Sequence, residues 1–73
     1  MRSFSDDAGR TWDATVGRES WGGAVLLLAP RAEGGVRVAP LASETVRDAE
    51  RELAQMSEQE LRGQLAASRP WEG

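Results

Sequence analysis

The chain has no cysteine and no histidine, and it also lacks lysine, asparagine, isoleucine and tyrosine. Without cysteine there is no disulfide framework and no thiolate metal site. Without histidine the commonest metal ligand and the usual proton shuttle are gone. A serine nucleophile then has no conventional activator, since histidine, lysine and cysteine are all missing. Long apolar runs are also scarce. The longest, Ala24–Ala29, is six residues, far short of the ~20 that a membrane-spanning helix needs. The net charge is −3, with nine arginines set against twelve acids. Residues 1–42 balance, and the excess acid falls in the C-terminal third. No basic field is available for a phosphate backbone, so nucleic acid is not the favoured partner. Asp6 and Asp7 stand where an export signal would need an apolar run. The expected location is therefore cytoplasmic, at most peripheral on a membrane complex.

What is present organises around Ala24–Ala29. Gly22-Gly23 precede it and Pro30 follows it, so it reads as a central strand between turn signals. Alternation places Val25 and Leu27 on one face and Leu26 and Leu28 on the other. Seventy-three residues make one domain, at a size where a single core yields only ~3–5 kcal/mol of net stability. One layer of cover is within reach of such a chain; two are not.

Residues 1–41 read as a meander of four strands. Arg2–Asp6 and Arg10–Val16 flank Asp7-Ala8-Gly9, a three-residue hairpin loop with glycine at the left-handed position. That register opposes Phe4 to Trp12. Gly17-Arg18-Glu19-Ser20 then turns the chain, and opposing Val16 to Trp21 would bring Trp12 beside Val25 and Ala14 beside Gly23. Val36–Pro40 follows a loose loop as the fourth strand, with Pro40 at an edge or strand end.

Residues 43–68 read as two helices. Ser43 is the expected N-cap of a helix from Glu44 to about Gln55. Val46, Ala49, Leu53 and Met56 form its apolar stripe. Ser57-Glu58-Gln59-Glu60 is a capping box, with Met56 and Leu61 as its hydrophobic staple, and it opens a second helix running to about Ala67. Residues 69–73 form a tail carrying Trp71. The expected fold is therefore α+β: a four-stranded antiparallel meander with two C-terminal helices packed on one face. In this register Phe4, Trp12, Val16, Trp21, Val25, Leu27, Val36 and Val38 meet the helices, and Leu26 and Leu28 are left uncovered.

Candidate chemistry is thin. Glu19-Ser20-Trp21-Gly22 glances at a nucleophile elbow, but Arg18 stands where glycine is required, and there is no base. Asp6, Asp7 and Asp13 lack calcium-loop spacing and read as hairpin-turn acids. Trp12 and Trp21 could stack bases, yet they lie on the face that the helices need. No catalytic residue, metal or cofactor is expected, and the chain is not read as an enzyme. The uncovered face points instead to contact with another protein, through Leu26, Leu28, Leu41, Arg37, Trp71 and an edge strand. A homodimer through the same leucines is a further reading. The rival is a small regulatory or nucleic-acid-binding module using exposed aromatics with Arg10, Arg18 and Arg37.

Phe4-x-Asp6-x-x-Gly9-Arg10-x-Trp12, followed by Val16-Gly17-Arg18-Glu19-Ser20-Trp21-Gly22, resembles small proteins of GC-rich bacteria that share a hairpin-rich start and acidic, leucine-containing helices. More loosely, the layout is similar to the small soluble accessory subunits of bacterial photosynthetic reaction-centre and antenna complexes. That resemblance implies a non-catalytic accessory or structural subunit docked on a larger assembly. It assigns no pigment ligand to any residue.

Overall fold

Alternation in the first forty residues and a 3.6-residue period in the last thirty produce an α+β fold. The computed structural model describes residues 1–19 and 23–71. Strands β1 (Arg2–Ser5), β2 (Thr11–Arg18), β3 (Ala24–Pro30) and β4 (Arg37–Pro40) are followed by helices α1 (Val46–Gln55) and α2 (Glu58–Ala67). A two-residue strand, β5 (Arg69–Pro70), closes the chain. All neighbours are antiparallel, in the order β1-β2-β3-β4-β5. The sheet thus has five strands among the described residues, one more than expected. The tail after α2 returns to pair with β4, a contact with no alternating pattern to announce it.

The first hairpin forms as its turn chemistry requires. Gly9 adopts φ +83, Gly9 N–H donates to the Asp6 carbonyl at 3.0 Å, and Phe4 lies opposite Trp12. Asp6 organises this turn. One carboxylate oxygen accepts from the amides of Ala8 and Arg10, both at 2.9 Å, and the other from the Trp12 indole N–H at 3.0 Å. The Arg10 guanidinium lies 5.4 Å from the Trp12 ring centroid, within cation–π range.

The second hairpin departs from the expected register. Val16 is opposite Leu26, Ala14 opposite Leu28 and Trp12 opposite Pro30. The expected partner of Val16, Trp21, lies outside the described residues. The displacement from Trp21 to Leu26 is an odd number of residues, so every β3 side chain changes face. Leu26 and Leu28 therefore join Phe4, Trp12, Ala14 and Ala39 under the helices, where they meet Leu53, Met56 and Leu61. Both leucines are fully buried. Val25, Leu27 and Val38 turn to the opposite face, in rows with Gly17, Thr15 and Arg69. There Leu27 lies across Gly17 so closely that a Cβ on Gly17 would come within 2.6 Å of it.

Helix α1 starts one turn signal later than expected. Thr45, not Ser43, is the N-cap and accepts from the Asp48 amide. The Ser43 hydroxyl instead donates to Glu52 at 2.7 Å. The capping box of α2 forms as read, with Ser57 and Glu60 each bonded to the other's backbone N–H. Its staple residues Met56 and Leu61 are both buried.

Neither helix carries a basic residue in its last turn, and each receives one from the sheet. The Arg2 guanidinium donates to the carbonyls of Leu53 at 3.0 Å and Met56 at 2.9 Å, closing α1. Arg37 donates to the Ser68 hydroxyl at 2.7 Å and the Ser68 carbonyl at 2.8 Å, just beyond α2. Both arginines stand on one cross-strand row, Arg2–Ala14–Leu28–Arg37, on the helix-covered face. The carbonyls of the two C-cap residues, Met56 and Ser68, are thereby satisfied, and a cation sits at the negative end of each dipole.

Candidate functional site

The five residues expected to make partner contacts do not form a common surface. Leu26 and Leu28 are core residues, and with their own chain over them they offer nothing to a partner. Leu41 is half-buried against the same core, and Arg37 is engaged by Ser68. Trp71 alone is exposed, at 42%, with its backbone N–H bonded to the Val36 carbonyl at 2.9 Å.

The sheet's edges show where a partner could add. Asp6 N–H bonds the Arg10 carbonyl, so Arg2 and Phe4 turn their backbone groups toward β2, and Ser3 and Ser5 turn theirs outward. The Ser5 carbonyl accepts from Arg62 at 2.7 Å, so α2 guards that part of the edge. On the far side, Trp71 N–H points inward, which leaves Pro70 facing out with no N–H to give. Both flanks are thus partly blunted, a device that discourages indiscriminate strand pairing.

One stretch is not blunted. Strand β1 stops at Arg2, opposite Ala14, whereas β2 continues to Arg18. On β2 the odd-numbered residues bond β3, as the contacts of Thr11 with Arg31 and of Glu19 with Gly23 show. The even-numbered residues face the β1 side. Val16 and Arg18 therefore turn their N–H and C=O groups toward a position that no described strand fills. Beside it lies a groove of about 360 Å³ lined by Met1, Arg2, Thr15, Val16, Glu50, Leu53 and Ala54. Met1, Val16, Leu53 and Ala54 give it apolar lining, Glu50 an acidic group and Arg2 a basic one. In a second hollow, bordered by Glu52, Gln55, Met56, Glu60 and Gln64, both carboxylates are engaged: Glu52 accepts from the Ser43 hydroxyl and Glu60 from the Ser57 N–H of the capping box.

Ionisation follows local hydrogen bonding. The Trp12 indole and the Arg10 amide hold the Asp6 carboxyl below its ordinary 3.8. Asp13 is lowered from the same value by the Ser3 hydroxyl and by Arg31. A carboxyl whose folded pKa is depressed stabilises the fold above its unfolded value, and that contribution is lost as pH falls through the folded one. Urea midpoints should therefore be level above about pH 5 and fall below about pH 4. Asp6→Asn should flatten part of that acid limb. An acid limb identical to wild type would show that Asp6 is not linked to folding. Among the described residues no group of three or more His, Cys, Asp or Glu could hold a metal ion.

No family model, curated protein or solved structure matches this chain.

The open stretch of β2 left no mark in the sequence that periodicity could reveal. It follows from a difference in strand lengths. Arg2–Ser5 and Thr11–Arg18 could have been compared once their hairpin was placed, and that unequal pair was the available signal.

Proposed function

We propose that the chain is a small non-catalytic interaction module, an accessory or structural subunit of a larger protein assembly. It joins its partner by accepting an extended strand beside the second half of β2. One observation carries this reading: Val16 and Arg18 present ladder groups to an unfilled position next to an aliphatic groove. Strand addition supplies affinity through main-chain bonds and specificity through alternate side chains seated in adjoining pockets. The groove beside Val16 is such a pocket. Attachment to a membrane photosynthetic complex is the setting suggested by the resemblance. No helix among the described residues is long and apolar enough to cross a membrane. The nucleic-acid alternative uses exposed aromatics with Arg10, Arg18 and Arg37; Arg10 and Arg18 are exposed, but Trp12 is buried and Arg37 binds Ser68. Arg10 holds the Glu33 carbonyl at 3.0 Å.

Selection of displayed hexapeptides against the chain tests the edge. Enriched peptides should alternate apolar or basic side chains on one side and lose at least about tenfold in affinity for Val16→Pro. That substitution removes an outward N–H while Thr15 and Gly17 keep their bonds to β3, and circular dichroism checks that the variant is folded. Peptides that bind Val16→Pro as well as wild type, or no enrichment at all, would overturn the proposal.

A further inference from the structure

We infer that the strand accepted at this edge is β2 of a second copy of the chain. This rests on the reading of the edge given above and adds the identity of the occupant.

The outward-facing residues are Val16 and Arg18, one on each side of Gly17. An antiparallel partner related by a two-fold axis at Gly17 would set Val16 opposite Arg18 of the second copy, and Arg18 opposite its Val16. Both are positions where facing residues exchange N–H···O bonds. The contact is then the same patch on each subunit, as a closed two-fold dimer requires. Moving the axis to Val16 would drive the second Arg18 against Ala14, whose outer side already holds Arg2. With the axis at Gly17 both open positions are used and, through the end of β2 at Arg18, the outer side of Ala14 is left to Arg2. Met1, which borders the groove, is 82% exposed and fixed by no strand.

The groove also selects the side chain. A residue paired with Val16 shares its face of the sheet, so its side chain enters the groove that Leu53, Ala54 and Glu50 line, where the Arg2 guanidinium is already committed to the Leu53 and Met56 carbonyls. The matching shape is an aliphatic stem with a cation at its tip, which is arginine. In the two-fold register that residue is Arg18 of the second copy, which is exposed in the single chain. Two symmetric Arg18–Glu50 contacts would flank the joined strands, and the two sheets would become one.

Sedimentation equilibrium of the intact chain, from about 1 to 500 µM, tests this at the affinities expected of a small interface. Wild type should form a dimer. Arg18→Glu and Glu50→Arg should each weaken it at least about tenfold, and combining them should restore most of the loss, because the charges are exchanged and not removed. Val16→Pro should be monomeric. A wild type that stays monomeric throughout, a dimer indifferent to Val16→Pro, or a double variant no better than the singles would overturn the assignment. A monomer whose edge still captures displayed peptides would remove the second copy and leave the edge reading intact. Loss of peptide binding as well would remove both.

Discussion

Leu26→Asp is expected to leave the chain unfolded at 25 °C, whereas Leu27→Thr should leave it folded and destabilised by about 1 kcal/mol. The two positions are neighbours in the run Ala24–Ala29, and only strand parity separates them. Leu26 is fully buried, in a row with Val16 and Ala39, under α1 and α2. Truncating such a leucine costs about 2–5 kcal/mol, and placing an unpaired carboxylate there costs more. A domain of this size has only ~3–5 kcal/mol to lose. Leu27 is half-buried on the helix-free face, in the row Thr15–Leu27–Val38. A β-branched polar residue suits such a pleated, partly wet surface. Far-ultraviolet circular dichroism with urea titration checks both. Were Leu27→Thr unfolded and Leu26→Asp folded, the register of β2 on β3 would be wrong by an odd number of residues.

That register is where sequence reasoning stopped working, and the reason is physical. A strand is pinned when only one of its faces is apolar, because a one-residue slip then exposes the wrong set. Ala24–Ala29 is apolar on both faces, so a slip costs it little and alternation cannot choose. The first hairpin was legible because Asp7-Ala8-Gly9 admits one tight turn and Phe4 and Trp12 then coincide. The α2 capping box was legible because its hydrogen bonds are local in sequence. The same locality misled at α1, where Ser43 and Thr45 are both competent caps. Ser43 was drawn away by Glu52, a half-buried residue in the later part of the helix. Strand β5 had no signal of its own, since two residues, one of them proline, cannot show a period.

The candidate site moved with the register. A shortage of cover over Leu26 and Leu28 first pointed outward, and the structure removes that shortage by turning both residues inward. What remains open is narrower: two backbone positions and a groove, on a sheet whose other edges are guarded by Arg62 and Pro70. Partner contact by strand addition needs main-chain groups more than exposed leucines, so the proposed function rests on different atoms from those first expected. Trp71 lies on the opposite edge, beyond β5, and takes no part in it.

The second large effect is expected at the arginines that close the helices. Arg2→Met and Arg37→Met should each keep the fold and lower its stability by about 2 kcal/mol, near 10 °C in thermal midpoint. Methionine retains an aliphatic stem, so the loss isolates the guanidinium from packing. Removing Arg2 strands the Met56 carbonyl and leaves the Leu53 carbonyl with only the long bond from the Met56 N–H, at 3.2 Å. Removing Arg37 does the same to Ser68. The two arginines act on different helix ends and share no partner, so their effects should add to about 4 kcal/mol. That sum reaches the whole stability expected of the domain, and the double variant should be largely unfolded without ligand or partner. Gln55→Arg, placing a cation in the last turn of α1, should recover part of the Arg2→Met loss and none of the Arg37→Met loss. Single variants within about 0.5 kcal/mol of wild type would show that water serves these carbonyls as well as arginine does. The cross-strand row Arg2–Ala14–Leu28–Arg37 would then be a matter of spacing alone.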